Sequence, residues 1–341
     1  MTHFVGLDVS KATTSICILD ARGDLVQAGL VETDPKAIIG FLRGDRRRYK
    51  RIGIEAGLTT PWIYEALAKA GLPVICIECR HAHGMLKSRI NKTDRNDARG
   101  IAEIMHGGLY KAVHIKTQES QNARLFLSTR RFLKVRQKDV DNVIRMTLLQ
   151  AGKKLQAGRL RTFESRARTL AAGSGIVGEL VRGLLHTRAV LVKEIAAIEN
   201  RIIELANDDP ICRRLMTAPG VAHLTALTYR TAIDVPTRFA KSRTVAVHLG
   251  LTPRTRSSGT IERRGRISKF GDGAVRTALY MAARVLMLPR TRDSGLKAWG
   301  TTVAASRGYA KGIIAVARKL AVILHRMWIT DTDFESAASP Q

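Results

Sequence analysis

From residue 4 to about residue 105 the chain switches repeatedly between two spacings of its hydrophobic positions. Short β-branched runs predict strands at 4–9, 14–19 and 25–31, with the turn residues Arg22, Gly23 and Asp24 between the second and third. A helix at about 35–42, a strand at 51–55, a helix at about 61–70 and a buried strand at 73–77 follow. Beyond them Ala98, Ile101, Ala102 and Met105 recur at helical spacing behind Thr93, an N-cap residue type. The order β-β-β-α-β-α-β followed by a helix is that of a ribonuclease-H-like α/β fold.

The rest of the chain reads as helical. A long basic helical stretch is predicted at about 118–155, and a Gly/Ser break at 171–175 separates it from another. In that second stretch Val177, Val181, Leu184, Arg188, Leu191, Ile195, Ile198, Ile202 and Leu205 follow at spacings of four and three. This is a coiled-coil seam with one polar interruption, and it fits an intramolecular hairpin with the preceding helix as well as a contact between subunits. Asp208, Asp209 and Pro210 end it and open a helix-rich, loop-rich last domain running to about residue 330, with a frayed tail after it. The expected division is 1–117, 118–207, 208–330 and a tail at 331–341.

Charge adds a partner to this outline. Lysine and arginine number 57 against 29 acids, a net +28 spread over the whole chain, which points to a polyanion. A membrane surface would call for a basic amphipathic helix or a lipid-anchor motif instead. The best candidate for a membrane span, residues 312–328, carries Arg318, Lys319, His325 and Arg326 and reads as an amphipathic globular helix. The amino terminus reads as a strand rather than a secretion signal. Four cysteines are too few for a disulfide framework, so the expected compartment is the reducing cytoplasm, in association with the nucleoid. Cys76 and Cys79, with His81 and His83 nearby, have the outline of a zinc site. Strand positions three apart face opposite sides, however, and there is no second cysteine pair, so no metal is expected there.

The candidate chemistry lies in four carboxylates. Gly6 and Asp8 share one face of the first strand, and Gly53 and Glu55 repeat the arrangement in the fourth. Glycine beside an acid leaves room for an ion or a phosphate backbone. Asp94 and Asp97 precede Ala98 and Ile101 by four residues, which predicts that both fall on the helix face turned to the sheet. A single acid in a helix's first turn is ordinary capping, and a single strand acid can be satisfied by amides. Four together would raise one another's pKa unless a hard divalent cation, Mg²⁺ or Mn²⁺, neutralised them. Two such ions suit phosphodiester chemistry.

Downstream, Ser257 and Ser258 precede Gly259 in a predicted flexible loop, among Arg254, Arg256, Arg263, Arg264, Arg266 and Lys269. A hydroxyl among guanidiniums could attack phosphorus, yet the same residues read more simply as a loop that grips nucleic acid.

The segments GLDVSK, GIEAG, NKTDRNDA, TAPGVAHLTA, GLTPRTRSSG and GRISKFGD, in this order and spanning nearly the whole chain, resemble the DEDD-type transposases of insertion-sequence family one-ten, which include Piv-like DNA invertases. The resemblance implies a RuvC-like nuclease domain, a coiled-coil segment and a carboxy-terminal transposase domain. It implies that Asp8, Glu55, Asp94 and Asp97 are the metal-binding tetrad and that Ser258, with Ser257 as runner-up, is a nucleophile forming a phosphoserine link to DNA. It further implies donor and target DNA as substrates, an element-encoded noncoding bridge RNA as guide, and a dimer or tetramer. One departure is Ala222 in Ala218-Pro219-Gly220-Val221-Ala222, where a phosphate-gripping helix-hairpin-helix turn has glycine; a packing role is expected there instead. The alternatives are a RuvC-type hydrolytic junction nuclease and a non-catalytic nucleic-acid-binding protein.

Overall fold

In strand β1 (Thr2–Val9) the alternation of the chain sends Val5 and Leu7 to one side and Phe4, Gly6 and Asp8 to the other. The computed structural model describes residues 2–44, 47–79, 93–156, 158, 162–258 and 261–335, with backbone alone for 256–258 and 261–264. It divides into two units, residues 1–116 and 117–341.

In the first unit, β1, β2 (Thr13–Leu19) and β3 (Leu25–Glu32) form an antiparallel meander. Helix α1 (Pro35–Arg43) then crosses to β4 (Arg48–Glu55), and α2 (Thr60–Lys69) crosses to β5 (Val74–Ile77). Both late strands run parallel in the same sheet, giving the order β3-β2-β1-β4-β5. The predicted succession is found, and α3 (Asp94–Gly107) completes it. Val5, Leu7, Ile16, Ile18, Ile52 and Ile54 pack on one face against Ile38 and Leu42 of α1 and Ile63 and Leu67 of α2. On the other face Ile101, Ile104 and Met105 of α3 cover Phe4 and Ile77, while Ala98 and Ala102 cover Cys17 and Leu19.

Two glycines set how closely α3 lies. A Cβ on Gly6 would stand 2.1 Å from the Ala98 carbonyl oxygen, and one on Gly53 would stand 2.7 Å from Met105 Cγ. At Gly6 the obstacle is helix backbone, which cannot rotate aside.

The second unit is built on two long helices, α4 (Gln118–Gln150) and α6 (Ile176–Asp208), with α5 (Phe163–Ala171) between them in sequence. Arg130 pairs with Glu199 at 2.6 Å and Arg188 with Asp141 at 2.7 Å. Ascending one helix thus descends the other, and the pair is an antiparallel hairpin within one chain. Of the predicted seam, Val181, Arg188, Ile195 and Ile202 are buried, while Val177, Leu184, Leu191, Ile198 and Leu205 are half-buried. The polar interruption is therefore an interior residue, stacked at 4.8 Å on the ring of Phe163.

Helices α7 (Pro210–Leu215), α8 (His223–Ile233), α9 (Ser242–His248), α10 (Gly273–Leu286), α11 (Gly295–Arg307) and α12 (Tyr309–Thr330) enclose the larger core of this unit. Between α9 and α10 the serine region is a hairpin, β6 (Pro253–Ser258) paired with β7 (Ile261–Ile267), where the sequence suggests a flexible loop. Gly220 faces the Ala282 carbonyl, where a Cβ would stand at 2.3 Å, and Ala222 is extended at φ −111. That turn packs against α10, as its alanine implies. The end of the chain also differs from expectation as far as Glu335: the Phe334 amide donates to Thr217 Oγ1 at 2.9 Å, and Asp331 pairs with Arg214. No helix among the described residues is long and apolar enough to cross a membrane.

Substituting Gly6→Ala should lower stability by about 1–3 kcal/mol or more through overpacking. Gly40→Ala, in α1 with nothing within 4 Å of the added carbon, should raise it by about 0.5–1 kcal/mol. Urea unfolding of the two variants checks the pair. In the same assay Arg188→Met should cost about 3–5 kcal/mol by stranding the buried Asp141 carboxylate, and adding Asp141→Leu should recover most of the loss.

Candidate active site

The β1–β4 register pairs Gly6 with Gly53 and Leu7 with Ile54. Carried one residue on, it sets Asp8 beside Glu55 at the carboxyl ends of adjacent parallel strands. Both are half-buried and belong to the face that α3 covers. Ala98 and Ala102 stand over Gly6 and Met105 over Gly53, and the Met105 carbonyl accepts from Arg51 Nη1 at 2.8 Å farther down β4. Helix α3 therefore runs toward the amino ends of the strands, and its own amino end leads back toward Asp8 and Glu55. Thr93 caps it as predicted, its Oγ1 accepting from the Asn96 amide at 3.2 Å.

Of the two helix acids, Asp94 differs from the expected inward face. Asp94 is exposed and Asp97 half-buried, because Ala98 already meets the sheet at Gly6 and the turn before it extends past the packed stretch. Asp8 and Glu55 are brought side by side, whereas Asp94 and Asp97 lie on the helix end directed at them. Among the described residues no group of three or more His, Cys, Asp or Glu side chains is placed to hold a metal ion. The donors themselves are carboxylate oxygens, the type a hard divalent cation takes.

One neighbour of Glu55 escaped the sequence reading. Cys79 donates its thiol to the Ala56 carbonyl at 2.8 Å, and burial followed by the Glu55 carboxylate pushes that thiol's pKa up. Burial, aided by Cys79 and Glu55, pushes Cys76 up to about 12. Both sulfurs are thus held as thiols by their surroundings; His81 and His83 lie outside the described residues. The thiol at Glu55 could not be found from spacing, because β4 and β5 meet only in the sheet.

The serine hairpin stands on a tightly crossed neck. Gly250 (φ +66) and Gly271 (φ +72) sit where its two legs pass, and a Cβ on either would come within 2.2 Å of the Phe270 oxygen or 2.3 Å of the His248 oxygen. Arg276 Nη1 donates to the carbonyls of Leu249, Phe270 and Gly271 at 3.1, 2.6 and 3.1 Å, closing the neck from α10. Asp272 caps α10 through the Ala274 amide and pairs with Arg124 of α4 at 2.7 Å. Burial alone would raise the Asp272 pKa, but Arg124 and the cap amides outweigh it and hold the carboxyl below its usual range.

Of the predicted nucleic-acid contacts, Arg254 and Arg266 are exposed, and Arg254 Nη2 reaches the Ser268 carbonyl at 3.0 Å. Lys269 is exposed and adopts φ +57 at the neck. The backbone register sets Arg256 opposite Arg263, Thr255 opposite Arg264, Ser257 opposite Glu262 and Ser258 opposite Ile261. Gly259 lies outside the described residues. The acids thus belong to the first unit and the serines to the second.

Two family models match the chain. One, a DEDD transposase model of the IS110 type described as a transposase, covers residues 5–152, and the other, described as transposase IS116/IS110/IS902 family, covers 212–307. The transposase for insertion sequence element IS1111A of Coxiella burnetii is 29% identical over 334 residues, 94% of this chain and 88% of that protein. The transposase for insertion sequence element IS1328 of Yersinia enterocolitica is 28% identical, over 78% of this chain and 79% of that one. Among solved structures, a Thermus thermophilus RuvC in complex with a Holliday junction substrate aligns over 33% of this chain and 100% of its own, with 15% identity and a TM-score of 0.26. With the DEDD model over the acid-bearing unit, the second model over the serine hairpin and relatives spanning both, the chain belongs to the IS110 family of transposases.

Proposed function

We propose that this transposase cuts and rejoins DNA with two groups of residues acting together, the carboxylates Asp8, Glu55, Asp94 and Asp97 and the nucleophile Ser258. The observation that carries the reading is the register of β1 and β4, which sets Asp8 beside Glu55 under a helix whose acid-bearing end leads to the same place. These four carboxylates would hold Mg²⁺ or Mn²⁺, which when bound supplies charge neutralisation at a phosphodiester. Asp8 and Glu55 offer fixed oxygens on strands; Asp94 and Asp97 offer theirs from a helix terminus.

The serine supplies what a purely hydrolytic centre lacks. Ser258 Oγ gives up its proton and forms an O–P bond, the bond from phosphorus to a deoxyribose oxygen breaks, and that oxygen leaves as a hydroxyl. A hydroxyl of another DNA end then attacks the phosphoserine, restoring a phosphodiester and returning the proton to the serine. Arginines neutralise charge developing on phosphate better than lysines because they bind two oxygens at once. Arg254, Arg256, Arg263, Arg264, Arg266 and Lys269 are assigned to grip the nucleic acid; the five arginines lie on the strands of the hairpin and Lys269 at its neck. Ser257 and Ser258 occupy successive register positions of the hairpin, opposite Glu262 and Ile261, so their backbone settings are not equivalent.

The net charge of +28 suits donor and target DNA together with a structured noncoding RNA that pairs with both. The protein works as a homo-oligomer, a dimer or tetramer, in which acid and serine units of different subunits combine.

The test uses the full chain expressed with its native flanking DNA. Ser258→Ala should abolish a denaturant-resistant protein–DNA adduct on gels while Ser257→Ala keeps it; cutting that persists in Ser258→Ala with a divalent ion would establish the hydrolytic reading instead. Asp8→Ala should slow strand cleavage about a hundredfold or more, as expected when several kcal/mol of charge stabilisation are removed. Sequencing RNA that co-purifies with the protein tests the guide, and absence of a specific transcript would remove it from the scheme.

A further inference from the structure

Immediately after Glu55 the chain makes a short loop, Ala56-Gly57-Leu58-Thr59, into α2. The loop is tied at nearly every residue. The Ala56 amide donates to the Ile77 carbonyl at 3.1 Å, and the Ala56 carbonyl accepts the Cys79 thiol at 2.8 Å. Buried Thr60 Oγ1 donates to the Glu55 carbonyl at 2.5 Å and accepts from the Gly57 amide at 2.8 Å.

What this loop displays is unusual. Thr59 is the N-cap of α2, so Leu58 is the residue before the cap, and Ile63 is the fourth residue of the helix. A leucine in that position ordinarily folds back on the fourth helical residue as a hydrophobic staple. Ile63 is fully buried in the sheet core, but Leu58 is 99% exposed, so the staple is not made. Thr59 makes no side-chain cap bond either, its place being taken by the Thr60 brace. One turn into the helix Trp62 is 52% exposed. A single exposed leucine needs no explanation. A leucine turned out of its usual packing by a loop of fixed hydrogen bonds, three residues from a candidate catalytic acid and four from a half-exposed indole, does.

We infer that Leu58 and Trp62 form an apolar wedge that receives an unpaired nucleobase of the DNA strand whose phosphate lies at Asp8 and Glu55. The assignment rests on the acids handling DNA, as proposed above. A strand drawn to the carboxyl ends of β1 and β4 brings the base next to its phosphate past Leu58, and apolar side chains beside a nucleic-acid backbone are used to enter or prop open base stacks. An indole face stacks with any base, which makes the contact tolerant of sequence. The wedge would favour DNA already opened at the cut, as when a guide strand pairs with the opposite strand.

The experiment measures binding of the full chain, in Ca²⁺, to a synthetic duplex with a central unpaired bubble carrying 2-aminopurine, and to the same duplex fully paired. The wild type should prefer the bubble and alter the 2-aminopurine emission through stacking. In Leu58→Ser and in Trp62→Ala the ratio of bubble to paired affinity should fall about tenfold, the scale of one lost base-stacking contact, and Leu58→Phe should restore it. Thermal unfolding of Leu58→Ser should match the wild type, because the leucine is exposed. An unchanged affinity ratio and emission in Leu58→Ser would overturn the wedge, and so would a change in sedimentation showing that Leu58 instead meets a second copy of the chain. Ser258→Ala should keep the bubble preference while losing the covalent adduct, so the two ideas fail separately.

Discussion

The contact on which the first unit turns is the approach of a helix to bare sheet backbone. At Gly6 the Ala98 carbonyl occupies the space where any other residue would carry its Cβ, and at Gly53 the side chains of Ile101 and Met105 do so. That closeness fixes where α3 begins relative to the strand ends. Each glycine comes two residues before a carboxylate on the same face, so helix and sheet meet closely right beside the candidate chemistry. Arg51 completes the arrangement at the far end, holding the Met105 carbonyl and stacking on Tyr110 at 5.7 Å.

The second unit solves a different problem, that of carrying a hairpin on a helical body. Its long helices are held in register by a buried ion pair inside an otherwise apolar seam. Such a pair contributes little net stability, but it penalises every misaligned pairing, since a slip would leave two charges buried alone. Arg124 then joins α4 to the Asp272 cap, and Arg276 joins α10 to the neck, so the hairpin base is referenced to the helical frame at two points.

Period and spacing revealed the features that depend on one segment at a time. The succession of strands and helices, the Thr93 cap and the glycine before each strand acid could all be read because alternation and capping are local. The identity of Arg188's partner could not, because Asp141 lies forty-seven residues away and looks like any surface acid of a basic helix. The hairpin was hidden by its composition: Pro, Arg, Thr, Ser and Gly read as a loop, and the pairing that makes them strands is between residues that carry no apolar alternation. The exposure of Asp94 has a related cause, since helical spacing predicts a face but not where the sheet beneath it stops. The docked tail at Asp331 and Phe334 depends on Arg214 and Thr217, more than a hundred residues earlier.

The crossed neck has a consequence for tolerance. Strand β6 has six residues, which at about 3.3 Å each makes an arm of roughly 20 Å from neck to tip. A tilt of only about 3° at the neck would then carry the tip sideways by about 1 Å, a displacement large enough to matter wherever two groups must be held in alignment. Two glycines in contact with backbone and one guanidinium shared among three carbonyls make a joint with little angular play. In this chain the position of a strand's far end is set by the stiffness of a pivot some distance behind it.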